Sequence, residues 1–317
     1  MRAVLYATLA KAELSAKLGA ILGSDLKIVD NPEQLAAEMP EAEALFMGDM
    51  LYVGKAAEAV IKNGKKLKWL QILTAGYDHA KELGVPSNAT VTNVGDALAV
   101  AVGLHAVSLL LTLQRQVPAF LKNQEKHGWD RSAAAKLVVP YGQTCAVLGF
   151  GHIGREIGRI MRALGSHVIG VSRNGAPDAG ADEMAPFSKL DDVIKRADSI
   201  MISLPLDEQT HHLFNARLFG LCKKNAVLVN IARGGIIDQM ALTEALKNGQ
   251  IAGAGLDALD PEPFTPTHPL WDAPNLYISP HCAGGAGSVT TNRIADNAAA
   301  NLKRYLAKEP LQNVVKL

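Results

Sequence analysis

Three residues far apart in this chain have types that work together in chemistry. They are Arg233 in Asn230-Ile231-Ala232-Arg233-Gly234, Glu262 in Asp260-Pro261-Glu262-Pro263, and His281 in Ser279-Pro280-His281. An arginine presents a planar fork of donors that matches a carboxylate. An imidazole moves a proton near neutral pH, and a carboxylate beside it favours its charged form and fixes its orientation. Hydride addition to a keto carbonyl leaves negative charge on oxygen, which a nearby proton donor offsets. Beside a hydride source, such a set interconverts a 2-keto and a 2-hydroxy acid. A lone histidine among the nine in the chain is more often structural or superficial. The company of Glu262 and Arg233 is what singles out His281.

A hydride source has its own signature upstream. Gly149-Phe150-Gly151-His152-Ile153-Gly154 follows an apolar run and opens an amphipathic one. Here the first glycine allows a tight turn, the second admits a pyrophosphate to the backbone, and the third lets helix pack on strand. The helix N-terminus adds positive charge where the phosphates sit. The blander reading is a plain strand-to-helix turn. The next strand runs into Ser172-Arg173-Asn174, with no acid where an NAD site holds the ribose hydroxyls. Ser172 and Arg173 suit a 2′-phosphate instead, which an acid would repel. NADP is therefore expected, with NAD as the alternative; Arg173 stacking on adenine or facing solvent would leave the choice open.

These motifs need strands and helices to hold them. Short apolar runs predict strands at Ala3–Tyr6, Leu26–Val29, Ala44–Met47, Leu70–Leu73 and Thr90–Thr92, with helical spacing over Leu14–Leu22 and Pro32–Glu38. A second series predicts strands at Cys145–Leu148, His167–Val171, Ser199–Ile202, Ala226–Asn230, Ala252–Leu256 and Leu276–Ile278. Helices are expected over Ile153–Leu164, Gln239–Asn248 and about Ser288 to Leu306. Strands alternating with helices imply parallel sheets covered on both faces. The apolar span Ala97 to Leu113 is short for a bilayer and is read as a helix buried on all sides.

Bulk properties set the limits. The 317 residues suggest two domains. An apolar share of 48%, a charged share of 20% and a net charge of +1 fit a soluble globular protein and give no reason to expect nucleic acid or an anionic membrane. Met1-Arg2 with the apolar run after it reads as a first strand, not a signal peptide. Cys145, Cys222 and Cys282 show no metal or redox spacing, so free and mostly buried thiols in a cytoplasmic protein are expected. No metal site is suggested.

Taken together, the chain resembles the D-isomer-specific 2-hydroxyacid dehydrogenases over nearly its whole length. The resemblance rests on Leu73-Thr74-Ala75-Gly76-Tyr77-Asp78, the glycine fingerprint, Leu204-Pro205-Leu206 with Thr210, Asn230 to Gly234, Gly255-Leu256-Asp257, Asp260 to Pro263 and Ser279 to His281. It looks like the NADP-using glyoxylate and hydroxypyruvate reductases within that family. The resemblance implies an α/β protein with two doubly wound parallel-sheet domains. One is a flavodoxin-like substrate domain (1–95 with 289–317), the other a Rossmann nucleotide domain (96–288). It implies Arg233, Glu262 and His281 as the catalytic set, and substrate binding by Arg233, His281 and the amides near Ala75 and Gly76. Cofactor contacts would come from the fingerprint, from Ser172 to Asn174, and from Leu204, Pro205 and Thr210. Ile231, Ala232 and Asp257 complete them, Asp257 meeting the nicotinamide carboxamide.

The resemblance further implies a homodimer supported by the helix from Ala97, and closure that dries the site. Leu51, Tyr52, Val53 and Tyr77 would shape the substrate pocket, with Trp129 reaching it from a partner subunit. The chain departs from the family where Leu104 stands in place of a frequent glutamate. A formate-oxidising relative would be expected to lack the Glu–His pair. A nucleotide-sensing relative can retain the catalytic residues, and turnover of a keto acid separates that reading from an enzyme.

Overall fold

The computed structural model describes residues 1–285 and 287–317. The chain divides into two compact units, Met1–Leu98 with Ala286–Leu317, and Ala99–Gly285.

The first unit alternates strand and helix: β1 (Ala3–Tyr6), α1 (Lys11–Leu22), β2 (Leu26–Ile28), α2 (Pro32–Glu38), β3 (Ala44–Met47), α3 (Gly54–Asn63), β4 (Trp69–Ile72), α4 (Asp78–Leu83) and β5 (Thr90–Thr92). All pairings are parallel and the strand order is β2-β1-β3-β4-β5, the flavodoxin-like winding. β1, β3 and β4 are buried at every position, as strands covered on both faces must be. α2 starts where it does because Asn31 Oδ1 accepts the Gln34 N–H at 2.9 Å and Pro32 pre-sets the first turn. Leu14 and Leu18 of α1 are fully buried, and truncating either to alanine would cost roughly 2–5 kcal/mol.

The second unit contains α5 (Ala99–Gln114), α6 (Val117–Glu125), β6 (Thr144–Leu148), α7 (His152–Ala163), β7 (His167–Ser172), β8 (Glu183–Pro186), α8 (Leu190–Arg196), β9 (Ser199–Ile202), α9 (Ala216–Phe219), β10 (Val227–Asn230), α10 (Gln239–Lys247), β11 (Gly253–Leu256) and β12 (Leu276–Ile278). Its seven parallel strands run β12-β11-β10-β9-β6-β7-β8, a Rossmann order extended by one strand. The order reverses between β6 and β9, and open sheets of this kind bind ligands at that point, beyond the C-terminal strand ends.

The chain then returns to the first unit as α11 (Gly287–Leu306), which packs on α1. A buried polar chain fastens it there. Trp69 Nε1 donates to Thr92 Oγ1 at 2.8 Å, Thr92 to Gln71 Oε1 at 2.9 Å, and Asn301 Nδ2 to the same oxygen at 3.1 Å.

Two expectations change. The edge strand β8 was not foreseen, because Glu-Met-Ala-Pro shows neither an apolar run nor alternation. The helix from Ala97 is not buried on all sides. α5 packs against α7, β10 and β11, whereas Val100, Leu104 and Ser108, four residues apart, lie on an exposed stripe. No single described helix is long and apolar enough to cross a membrane.

Candidate active site

β10, β11 and β12 are neighbours in register, Asn230 beside Leu256 and Leu256 beside Ile278. Whatever follows their C-terminal ends is therefore gathered at one edge of the sheet. Arg233 follows β10, Asp257 follows β11, and Ser279-Pro280-His281 follows β12. The Arg233 loop is shaped by Asn230, whose Nδ2 donates to the Arg233 carbonyl at 2.9 Å while its Oδ1 accepts from Ala232 N–H at 3.0 Å. Ile231 and Ala232 are buried beneath it.

Glu262 arrives on a separate loop, and Gly234 explains how. A Cβ at Gly234 would sit 2.0 Å from the Leu259 carbonyl carbon, so only glycine lets that backbone pass. Glu262 Oε1 accepts the Leu259 N–H at 3.0 Å and Oε2 lies 2.7 Å from His281 Nδ1. A carboxylate only accepts, so Nδ1 carries a proton and Nε2 remains the working nitrogen.

His281 is held with φ +49, a left-handed conformation unusual for a non-glycine residue. Its N–H donates to the Asp257 carbonyl at 2.8 Å, which anchors that turn. The hydrogen bond to Glu262, reinforced by that residue's charge, raises the His281 pKa against the opposing effects of burial and Arg233. Burial alone would raise the Glu262 pKa. The His281 and Leu259 donors, with the charges of His281 and Arg233, outweigh it and hold the carboxyl below its usual range. The pair is thus tuned to exist as imidazolium and carboxylate, with Arg233 near enough to influence both.

Asp257 is buried, and its carboxylate straps down the turn around His281. Oδ1 accepts from Ser279 Oγ at 2.6 Å and Cys282 N–H at 3.0 Å, and Oδ2 accepts from Ala283 N–H at 2.9 Å. His105 of α5 approaches the same cluster, with Nε2 2.9 Å from Ser279 Oγ. Ser279 lies in the Ser279-Pro280-His281 motif, but neither the sequence pattern nor the resemblance gives it or His105 a role. Donor atoms of His105, Asp257 and Cys282 also lie within 4.8 Å of one another. Partial burial and the charge of Asp257 push the Cys282 thiol up, which favours its protonated form. Cys282 is exposed, Cys222 half-buried and Cys145 buried, so the expectation of mostly buried thiols fails for Cys282.

The glycine loop sits at the reversal of strand order. Gly149, at φ +89, passes so close to the chain after β9 that a Cβ would lie 2.4 Å from the Ser203 carbonyl oxygen. Gly154 is as tightly confined, its added Cβ falling 2.1 Å from the Gly149 carbonyl oxygen. Gly151 differs: a Cβ there would meet nothing within 4 Å. That opening lies at the N-terminus of α7, which no side chain caps, with His152 and Ile153 in its first turn. A cradle of this kind fits a dinucleotide pyrophosphate.

Beyond β7, Ser172 Oγ accepts the Gly175 N–H at 3.2 Å, Asn174 Oδ1 accepts the Ala176 N–H at 3.2 Å, and Arg173 is exposed. The acid that follows in this loop, Asp178, is already paired with Arg155 at 2.6 Å. Leu204 is half-buried and Pro205 exposed. Thr210 is buried, and its hydroxyl donates to the Pro205 carbonyl at 2.7 Å, so it braces this loop from beneath.

In the first unit, Asn93 Nδ2 donates to the Ala75 carbonyl at 2.9 Å and Thr74 Oγ1 to the Gly76 carbonyl at 2.9 Å. Because peptide units are trans, the Gly76 and Tyr77 N–H groups point away from those anchors. Asp49 joins this loop to α4 by accepting the His79 and Ala80 N–H groups, each at 3.1 Å. Among the expected pocket residues, Leu51 and Tyr77 are half-buried and Val53 is exposed. Tyr52 is fully buried in the core, with its hydroxyl donating to the Gly84 carbonyl at 2.8 Å. Tyr52 therefore does not line a pocket: its ring is spent on packing.

Residues 107–283 match the family model for the D-isomer specific 2-hydroxyacid dehydrogenase, NAD binding domain. The chain belongs to the D-isomer specific 2-hydroxyacid dehydrogenases. Within this family it is 33% identical to a glyoxylate reductase of Thermococcus gammatolerans, over 77% of this chain and 74% of the relative. It is 31% identical to a D-3-phosphoglycerate dehydrogenase of Methanocaldococcus jannaschii over 90% of this chain. The chain spans about half the length of that relative, 54%. Among solved structures it is similar to the NADPH-dependent glyoxylate/hydroxypyruvate reductase of Sinorhizobium meliloti in complex with NADP and sulfate. That similarity has a TM-score of 0.84 and 26% identity and covers 100% of this chain and 98% of that one.

Proposed function

We propose that the protein reduces a small 2-keto acid to the D-2-hydroxy acid with NADPH. The observation that carries this reading is the 2.7 Å His281–Glu262 pair, tuned toward imidazolium and carboxylate beside Arg233. A bound nicotinamide would supply the hydride that the keto carbon takes up. His281 gives the proton on Nε2 to the carbonyl oxygen, and Glu262 stabilises the charge that His281 carries before it does so. Arg233 holds the substrate carboxylate. Product formation leaves His281 neutral, to be reprotonated from solvent, and the reverse reaction uses the same nitrogen as base.

Ser172, Arg173 and Asn174 support NADP over NAD, since the end of β7 offers a cation and small donors and no carboxylate. In a cytoplasmic setting, with that nucleotide pool kept reduced, the direction would be reduction of glyoxylate, hydroxypyruvate or a similar acid. The exposed apolar side chains of the α5–α6 region support a homodimer.

Initial rates of NADPH and NADH oxidation test the proposal, with glyoxylate, hydroxypyruvate, pyruvate, phenylpyruvate and a phosphorylated keto acid as substrates. Turnover with NADPH preferred is expected. Preference for NADH would overturn the cofactor assignment and keep the chemistry. Nucleotide binding without turnover of any keto acid would move the protein to a sensing role.

A further inference from the structure

His105 stands on α5, far in sequence from the strand ends that carry the candidate chemistry, yet its Nε2 lies 2.9 Å from Ser279 Oγ and 3.4 Å from Asp257 Oδ1. The protons in this cluster can be assigned by counting. Ser279 has one hydroxyl proton, and the 2.6 Å contact to the Asp257 carboxylate uses it, because a carboxylate has none to give. The Ser279 oxygen must then accept from His105. His105 therefore carries its proton on Nε2, whether neutral or charged.

The same count shows what the arrangement leaves open. A carboxylate offers about four acceptor sites, two on each oxygen. On Asp257, among the described residues, Oδ1 is filled by Ser279 and the Cys282 N–H, Oδ2 holds the Ala283 N–H, and the Cys282 thiol is a further, weak donor to the carboxylate. The second Oδ2 site is left to that weak thiol donor or to a stronger N–H that displaces it, and its direction is fixed by the three donors already in place.

We propose that His105 is a positioning residue: it orients the Ser279 hydroxyl onto Asp257, so that the second Oδ2 site of Asp257 receives one N–H of the nicotinamide carboxamide. The inference rests on the nucleotide reading above. Asp257 also accepts through its carbonyl from His281 N–H, so one residue holds both the ring that gives the hydride and the side chain that gives the proton. A rotated Asp257 carboxylate would loosen both. The device links α5 to β11 and β12 and gives the half-buried His105 a polar partner on a largely apolar helix.

The test uses two replacements of similar reach. His105→Leu removes the donor, and His105→Gln returns an N–H at nearly the place of Nε2. For each full-length protein, affinity is measured by fluorescence titration with reduced nucleotide and with its reduced 3-acetylpyridine analogue, which has no carboxamide N–H. The expected result is a loss of about tenfold for the ordinary nucleotide in the leucine variant, the scale of one well-made hydrogen bond. The analogue should change little, and the glutamine variant should recover most of the loss. With a keto acid, the leucine variant should lose in kcat while its KM for the acid stays close to that of the parent. Equal losses for both nucleotides would show that His105 only supports the fold, and would overturn the proposal. So would an unchanged ratio, or a glutamine variant as impaired as leucine. Failure of the unaltered protein to bind either nucleotide would overturn the nucleotide reading itself. Binding with an unchanged ratio would overturn the role of His105 alone.

Discussion

His281 and Glu262 make pH the most direct probe of the chemistry at single-residue scale. The His281 pKa is raised, chiefly by its hydrogen bond to Glu262, so the imidazolium persists above the usual histidine value. Keto-acid reduction needs that proton and should be flat at low pH, then fall as pH rises through the raised value. Oxidation of the hydroxy acid should rise through the same value. In Glu262→Gln the negative charge that holds the proton is lost, although the amide oxygen can still accept, so the falling limb for reduction should move to lower pH. A profile that stays in place would remove Glu262 from the mechanism. His281→Gln should reduce turnover by roughly 10²–10⁴-fold, the usual range for a lost general acid, with nucleotide affinity near normal. Stability follows the same signs. The His281 contribution is complete below its unfolded pKa and lost as pH rises through the folded one. That of Glu262 is present above its unfolded pKa and lost as pH falls through the folded one. With side chains 41% and 31% exposed, solvent screening keeps the pair to about 1 kcal/mol or less.

At the scale of elements, the site depends on loops that pass one another closely, and Gly234 is where this is tightest. Gly234→Ala would place a methyl group 2.0 Å from the Leu259 carbonyl carbon, and backbone atoms cannot swing aside as a side chain can. The loop carrying Glu262 should shift, lowering kcat and costing about 1–3 kcal/mol of stability. Nucleotide affinity should survive, because the glycine loop lies beyond a different strand. Steady-state kinetics together with a nucleotide titration would check both halves, and normal turnover would contradict the packing argument. The strands that carry these loops were legible in the chain because buried parallel strands write themselves as apolar runs. β8 was not, being an edge strand without a run, and β4 begins one residue earlier than expected, at Trp69. Arg233, Glu262 and His281 were legible through motifs with characteristic neighbours. The His105–Ser279 contact spans 174 residues and leaves no local trace, since it exists only once α5 has packed on the sheet. The pocket role that the resemblance implies for Tyr52 fails for a related reason, since its burial exists only once the first unit has packed.

Across the whole molecule, the surface poses a question that the chemistry does not answer. Trp129 is 95% exposed and Tyr141 79%, and Leu104, Leu121 and Val139 are each more than half exposed. All lie in α5 or between it and the start of β6. Single exposed apolar side chains are ordinary, but several large ones in one stretch of chain are what the homodimer proposed above would cover. Leu104 fits this view, since an apolar residue on the outer stripe of α5 gains little from water and much from a partner. A second copy of the chain is the occupant proposed above, and it makes a definite expectation. Light scattering behind size exclusion should report twice the chain mass at micromolar concentration. Leu121→Glu would put a charge where an apolar contact forms and should shift the protein toward monomer, because an unpaired carboxylate is costly to bury. The intrinsic fluorescence of Trp129 should move to longer wavelength as dissociation exposes the indole. Since Arg233, Glu262, His281 and the glycine loop all come from one chain, the monomeric variant should still bind nucleotide. Its effect on turnover then decides whether Trp129 of one copy serves the substrate of the other. Unchanged kcat/KM in a monomer would confine the association to stability, whereas a rise in KM for the keto acid alone would give Trp129 a place at the partner's substrate.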